Sequence, residues 1–313
     1  MIPVMQFSAT TTRTVRLFAR WLALAGVALA AVGITIVGPT INEPRFFKKP
    51  DRSGYANLNG IKMWYAIFNP HGGAPVILLH GGLGSSRDWR NQIPALVGHH
   101  EVIVADSRGQ GRSTRVNEPI GYDVMSSDVL ALMDHLKIRQ AAIVGWSDGG
   151  IIGLDIAIHH PDRISKLFAY GANYNVAGLA PSPVPSVLAP LQASASELLD
   201  EHAETVREVN EMWETEPNFS HAELRAIHVP TVIADGEREE AIRPEHTREM
   251  AKLIPGAQLV ILPNVGHAGL LQDPTAFNKA MVDFLDGPAA PIPPKPEPRP
   301  NDVSDTPSPA QPS

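Results

Sequence analysis

The sequence predicts an α/β fold in which a mostly parallel sheet is flanked by helices. Two observations carry that reading. Short apolar runs alternate with stretches of helical composition, and strand, helix, strand in repetition returns the chain to the same end of the sheet each time. The later runs are also continuously apolar rather than alternating, the pattern of strands covered on both faces.

Taken in chain order, the first 54 residues stand apart. Arg13, Arg16 and Arg20 precede Trp21–Gly38, 18 residues without a charge. As a helix this run would reach ~27 Å, near the thickness of a thin bilayer core. It is expected to serve as a secretory signal or an uncleaved membrane anchor. The anchor is favoured, because cutting after Ala28-Leu29-Ala30 leaves apolar Ala31–Val37 at the new terminus. The chain is therefore expected to be exported, either anchored and facing the exterior or secreted, with membrane association through this segment.

The folded unit is expected at Tyr55–Asp286. Its candidate strands are Met63–Phe68, Val76–His80, Val102–Asp106, Ala141–Trp146, Lys166–Tyr170, Thr231–Ala234 and Gln258–Leu262. Helices are expected at Met125–Leu136, Ile151–His159, Pro244–Leu253 and Pro274–Leu285. The interval Asn173–His228, rich in Ala, Leu, Glu and Pro, breaks the alternation and reads as a helical cap over one end of the sheet. Gly287–Ser313 holds 10 prolines in 27 residues and almost no large apolar groups. Such a stretch buries too little surface to offset the entropy of ordering, and a disordered tail is expected.

Composition removes several functions. A formal charge of −7 disfavours a nucleic-acid surface. Without cysteine there is no disulfide, thiolate zinc site, iron–sulfur cluster or thiol nucleophile. No metal or organic cofactor is implied.

The strongest local signal is Gly145-Trp146-Ser147-Asp148-Gly149-Gly150, between an expected strand and an expected helix. That context is the one a nucleophile elbow requires: glycines permit close backbone approach and a strained turn that lifts the hydroxyl. A Gly-rich turn alone would explain the glycines but not the serine between them. A hydroxyl needs a base, and among 12 histidines His267 is the best placed. It follows the last expected strand, at the carboxyl end of the sheet where catalytic groups gather.

Together His80-Gly81-Gly82, Asp106-Ser107-Arg108-Gly109-Gln110-Gly111-Arg112-Ser113, the elbow and Gly266-His267 make the chain resemble the α/β-hydrolase fold superfamily over essentially all of Tyr55–Asp286. More weakly, it resembles the valacyclovir-hydrolase-like (biphenyl-hydrolase-like) branch, which cleaves esters. The resemblance implies an eight-stranded-type sheet, Ser147 as nucleophile and His267 as general base. It puts the acid after Thr231–Ala234, where relatives usually carry Gly-x-x-Asp and this chain places Glu239. Glu can serve there; Glu240 and Asp235 are the alternatives. The oxyanion donors implied are the backbone amides of Asp148 and Gly82. His80 is expected to be a structural residue bonded within its own loop.

The Asp148 carboxylate at the start of a helix complements the dipole; facing a pocket, it would instead pair with a cationic substrate group. The expected activity is cleavage of small carboxylic esters through an acyl-enzyme. The alternatives are an amidase, a peptidase or a carbon–carbon hydrolase on the same triad, and a non-catalytic ligand-binding protein.

Overall fold

The computed structural model describes residues 48–181 and 200–288. Eight strands form one sheet: β1 (Arg52–Leu58), β2 (Ile61–Phe68), β3 (Pro75–Leu79), β4 (Glu101–Ala105), β5 (Ala141–Trp146), β6 (Ile164–Tyr170), β7 (Thr231–Gly236) and β8 (Gln258–Leu262). Their order is β1-β2-β4-β3-β5-β6-β7-β8. β1 and β2 pair antiparallel, as do β2 and β4, and every other pairing is parallel. The mostly parallel sheet read from the sequence is thus the one observed.

The continuous apolar runs have the reason expected of them. Successive side chains of a strand point to opposite faces, and both faces here are covered. Ile77, Ile103, Ile143, Leu167 and Ile233 pack on one side with α1 (Tyr122–Leu136), α2 (Asp148–His159) and Met250 of a later helix. Val76, Leu78, Val104, Val144, Phe168 and Val232 pack on the other with Trp89, Phe277 and Met281. Between β6 and β7 lie α3 (Asp200–Thr215) and α4 (His221–Arg225), followed by α5 (Pro244–Leu253) and α6 (Pro274–Asp286).

The order of strands reverses at β3. From β3 the chain goes outward to β4, then returns to β5 on the other side of β3. Loops leaving the carboxyl ends of these strands therefore diverge and leave a crevice between them, the place where open α/β sheets bind ligands.

Departures from expectation sit at edges and ends. β1 has no counterpart among the expected strands, because its sequence, Arg-Ser-Gly-Tyr-Ala-Asn-Leu, has no apolar run and is mostly exposed. β8 was read as covered on both faces, yet it is the far edge of the sheet and leaves Leu259 42% and Ile261 37% exposed. Helix α2 starts at Asp148, directly after Ser147, rather than at Ile151.

The expectation of export and membrane anchoring is corrected. No helix among the described residues is long and apolar enough to cross a membrane. The run on which it rested, residues 21–38, lies outside the described residues, as do 182–199 of the cap and 289–313 of the tail.

Candidate active site

Ser147 occupies the one-residue junction between β5 and α2, with φ 53° and ψ −119°. This is a costly conformation for a side chain with a Cβ, and it persists only where the surroundings over-determine it. They do so here. The Ser147 amide donates to Tyr170 O at 2.8 Å, and its carbonyl accepts from Gly150 N at 2.8 Å and Ile151 N at 3.1 Å. The flanking glycines are steric necessities: a Cβ on Gly149 would strike the Leu79 carbonyl, and one on Gly145 the Gly149 carbonyl.

His267 is brought to the same end of the sheet by the loop after β8. Tyr170 OH donates to Gly266 O at 2.7 Å, Gly266 N to Gln272 Oε1 at 2.6 Å, and Trp146 Nε1 to His267 O at 2.7 Å. The imidazole lies beside Gly171, where a Cβ would come within 3.0 Å of it. Its Nδ1 bonds Glu239 Oε1 at 2.9 Å. A carboxylate accepts, so Nδ1 carries the hydrogen and Nε2 keeps its lone pair. Burial pushes the imidazole down, but the bond to Glu239 and its charge outweigh that, and His267 sits above the usual imidazole value.

The three acidic candidates of this loop have three different positions. Glu239, its side chain 1% exposed, bonds the ring. Glu240 accepts instead from the backbone amide of His267, at 3.1 Å. Asp235 is buried at the end of β7, bonded to Thr247 Oγ1 at 2.6 Å and to the Gly236 amide at 2.9 Å. Burial pushes Glu239 up, but its bond to His267, that ring's charge, its bond to Asp235 and the Ala241 amide bring it down to about 2.

On the other side of Ser147 stands the loop after β3. His80 Nε2 accepts from Ser107 N at 2.9 Å, so Nδ1 donates to Gly81 O at 2.7 Å. His80 is therefore tied up within the loop. Gln110 Oε1 accepts from Leu83 N at 2.7 Å, and Asp106 holds both Ser86 N and Arg112. Gly81 runs so close to the elbow that a Cβ on it would lie 3.2 Å from Ser147 Cβ. Among the described residues, the amides of Gly82 and Asp148 have no acceptor. Two free donors next to a serine hydroxyl can hold a developing oxyanion.

The Asp148 carboxylate is engaged by side chains of α1 and α3. It is 3% exposed and accepts from Tyr122 OH at 3.0 Å and from Trp213 Nε1 at 2.9 Å. Burial pushes it up, and the Trp213 and Tyr122 hydrogen bonds only partly offset this. Tyr122 and Trp213 were not singled out in the sequence, since neither carries a motif. Trp213 comes from α3, which is also pinned by Arg115 to Glu204 at 3.3 Å and to Glu208 at 2.5 Å. No group of three or more metal-binding side chains occurs among the described residues.

Two families match this chain: that described as alpha/beta hydrolase fold over residues 74–197, and that described as TAP-like protein over residues 201–296. A protein of Caulobacter sp. (strain K31) named carbamate hydrolase RutD is 29% identical over 257 residues, 70% of this chain and 95% of its own. Rhodomycin D methylesterase DauP of Streptomyces sp. (strain C5) is 29% identical over 270 residues, 66% of this chain and 89% of its own. Among solved structures, the enol-lactonase of Burkholderia xenovorans LB400 is 27% identical with a TM-score of 0.63, covering 74% of this chain and 100% of that one. These relatives are matched nearly end to end by about three quarters of this chain or less.

Proposed function

The chain belongs to the α/β-hydrolase superfamily and is a hydrolase, and from that premise we propose that it cleaves carboxylic ester bonds of small substrates through an acyl-enzyme. Ser147 attacks the carbonyl carbon while His267 Nε2 takes the hydroxyl proton. Glu239 holds Nδ1–H and stabilises the imidazolium that forms. The tetrahedral oxyanion lies between the amides of Gly82 and Asp148, each such donor lowering the barrier by about 3 kcal/mol. Collapse expels the alcohol, which takes the proton back from His267. A water then repeats the sequence on the acyl-serine, releasing the acid and restoring Ser147.

The single observation that carries this reading is the 2.9 Å bond from His267 Nδ1 to Glu239. It fixes the tautomer that leaves Nε2 basic, on a ring packed 6.0 Å from Trp146, the residue before Ser147. The relatives' names support it too: methylesterase, enol-lactonase and carbamate hydrolase each imply a carbonyl bonded to a heteroatom.

The test is hydrolysis of p-nitrophenyl acetate and butyrate by the full chain, beside Ser147→Ala and His267→Ala. Each variant is expected to lose about 10⁴-fold or more in kcat. A fluorophosphonate should label the wild type once, at Ser147 by mass spectrometry. A folded wild type that hydrolyses neither ester and leaves Ser147 unlabelled would sink the proposal.

A further inference from the structure

The reaction just proposed uses one carboxylate behind His267, but a second, Asp235, is buried beside it. Glu239 Oε1 takes three donors: His267 Nδ1 at 2.9 Å, Ala241 N at 2.6 Å and Ile242 N at 3.2 Å. Its other oxygen, Oε2, is buried and receives no N–H or hydroxyl. Next to it lies the Asp235 carboxyl, itself 1% exposed, which has nothing to donate to that oxygen unless it carries a proton.

Two carboxyl groups form a hydrogen bond only if one of them carries a proton. The donor count says which one. Glu239 faces an imidazole N–H and two amides, all of which favour its anion. Asp235 has only the Gly236 amide and the Thr247 hydroxyl, and that hydroxyl can accept as well as donate. The other ionisable groups around Asp235 are Tyr170 of β6, Glu239 itself, and His267 and Glu240 beyond it. No cation pairs with Asp235 among the described residues.

We propose that Asp235 is held as a neutral carboxylic acid that donates to Glu239 Oε2, making it a positioning residue for the His267–Glu239 pair. Both its burial and its Glu239 neighbour act in that direction, pushing Asp235 up to about 9. The pairing also gives a physical reason for Glu at a position where Asp is the usual acid. The longer side chain has one more torsion to fix, and a fourth donor, on the oxygen away from the imidazole, fixes it. The inference rests on Glu239 and His267 acting as acid and base, so its test needs one arm that does not depend on turnover.

The kinetic arm is the pH profile of kcat/KM on p-nitrophenyl butyrate for the wild type, Asp235→Asn and Asp235→Leu. Above about pH 9 the wild type should lose activity, because ionised Asp235 repels Glu239 instead of bonding it. Asp235→Asn keeps an N–H donor that does not titrate; it should lack that alkaline limb and recover most of what Leu loses. Asp235→Leu should lower kcat about tenfold or more with KM little changed. An alkaline limb shared by wild type and Asp235→Asn, or wild-type kcat in a folded Asp235→Leu, overturns the proposal.

The second arm is thermal melting. With its folded value raised above the unfolded one, Asp235 must take up a proton on folding. The wild type should therefore lose stability relative to Asp235→Asn as pH rises from 5 to 9. A difference in Tm that stays flat over that range overturns the neutral acid whether or not any ester is hydrolysed. An absence of ester hydrolysis with a widening difference would instead count only against the ester reading.

Discussion

Glu239 and Glu240 are adjacent in sequence, yet one bonds the imidazole of His267 and the other its backbone amide. Their variants should therefore behave differently. Glu239→Gln leaves a side chain that can hold the wrong tautomer, and kcat is expected to fall about 10³- to 10⁴-fold. Glu240→Gln can still accept from the amide through its carbonyl, and is expected to cost less than about tenfold. Steady-state kinetics on p-nitrophenyl butyrate separates them; the reverse ranking would move the acid to Glu240.

The sign of the pH dependence follows from the same bond. His267 must be neutral to act as base, and Glu239 raises it above the usual imidazole value against the pull of burial. Activity should thus be lost as pH falls through that raised value. In Glu239→Gln the largest upward influences are gone and burial is opposed only by the charges of Glu240 and Asp148, so the residual activity should persist to lower pH. Asp148 offers a separate test of recognition. Both its donors reach Oδ1, which an Asn would retain, and only the longer 3.2 Å contact of Trp213 Nε1 to Oδ2 is lost, so Asp148→Asn removes the charge with little change of shape. If the carboxylate pairs with a substrate cation, KM rises for amino-acid esters alone; equal changes on neutral esters contradict that role.

At the level of elements, the elbow was legible because sterics leave so few choices. Strand β5, a strained serine and the start of α2 demand glycines at 145 and 149, and the sequence shows them as a pattern. The turn after β4 was legible as a turn whose Arg108 pairs an acid, but not which acid. Arg108 bonds Asp128 of α1 through Nε at 2.6 Å and Nη2 at 2.7 Å, with both side chains almost wholly buried. Twenty residues of separation hide such a pair from any local motif. Asp128→Asn leaves a buried guanidinium without its counter-charge, and should cost about 3–5 kcal/mol of stability by urea unfolding. The cap is the least legible element. Its polar contacts, among them Trp213 to Asp148, Arg115 to Glu208 and the Tyr122 amide to Glu216, are spread over a helix with no spacing rule that would announce them. Trp213→Phe keeps an aromatic ring but drops the hydrogen bond, and is expected to raise KM more than it lowers kcat.

Over the whole molecule, the interior of the sheet was readable, whereas one border strand, β1, and the exposure of the other, β8, were not. Interior strands need apolar residues on both faces, and β3, β5 and β6 show them plainly. An edge strand has no such requirement. β1 is stabilised by pairing with β2 rather than by burial, so its composition resembles a loop. β8 shows the opposite error, an apolar run that is only partly covered. Leu259 and Ile261, two residues apart, share an exposed face of this edge. Replacing Ile261 by Lys should change stability by no more than about 0.5 kcal/mol in thermal melts, and should protect the unpaired edge from association with another strand. A large loss of stability would mean that this face is covered in solution.

The hydrogen bond from the Trp213 indole to Asp148 gives the protein an internal optical gauge. Of five tryptophans, this one spans the space between the cap helix and the elbow. Its excited state senses the carboxylate through the N–H, whereas Trp64 and Trp89 are enclosed in the core, 7% and 0% exposed, and Trp146 is held on the sheet side by its bond to the His267 carbonyl. Any movement of α3 away from the sheet breaks that contact and shifts the emission colour, without a dye or a label. Stopped-flow mixing with a non-hydrolysable ester analogue can therefore time the opening of the crevice separately from the chemistry inside it.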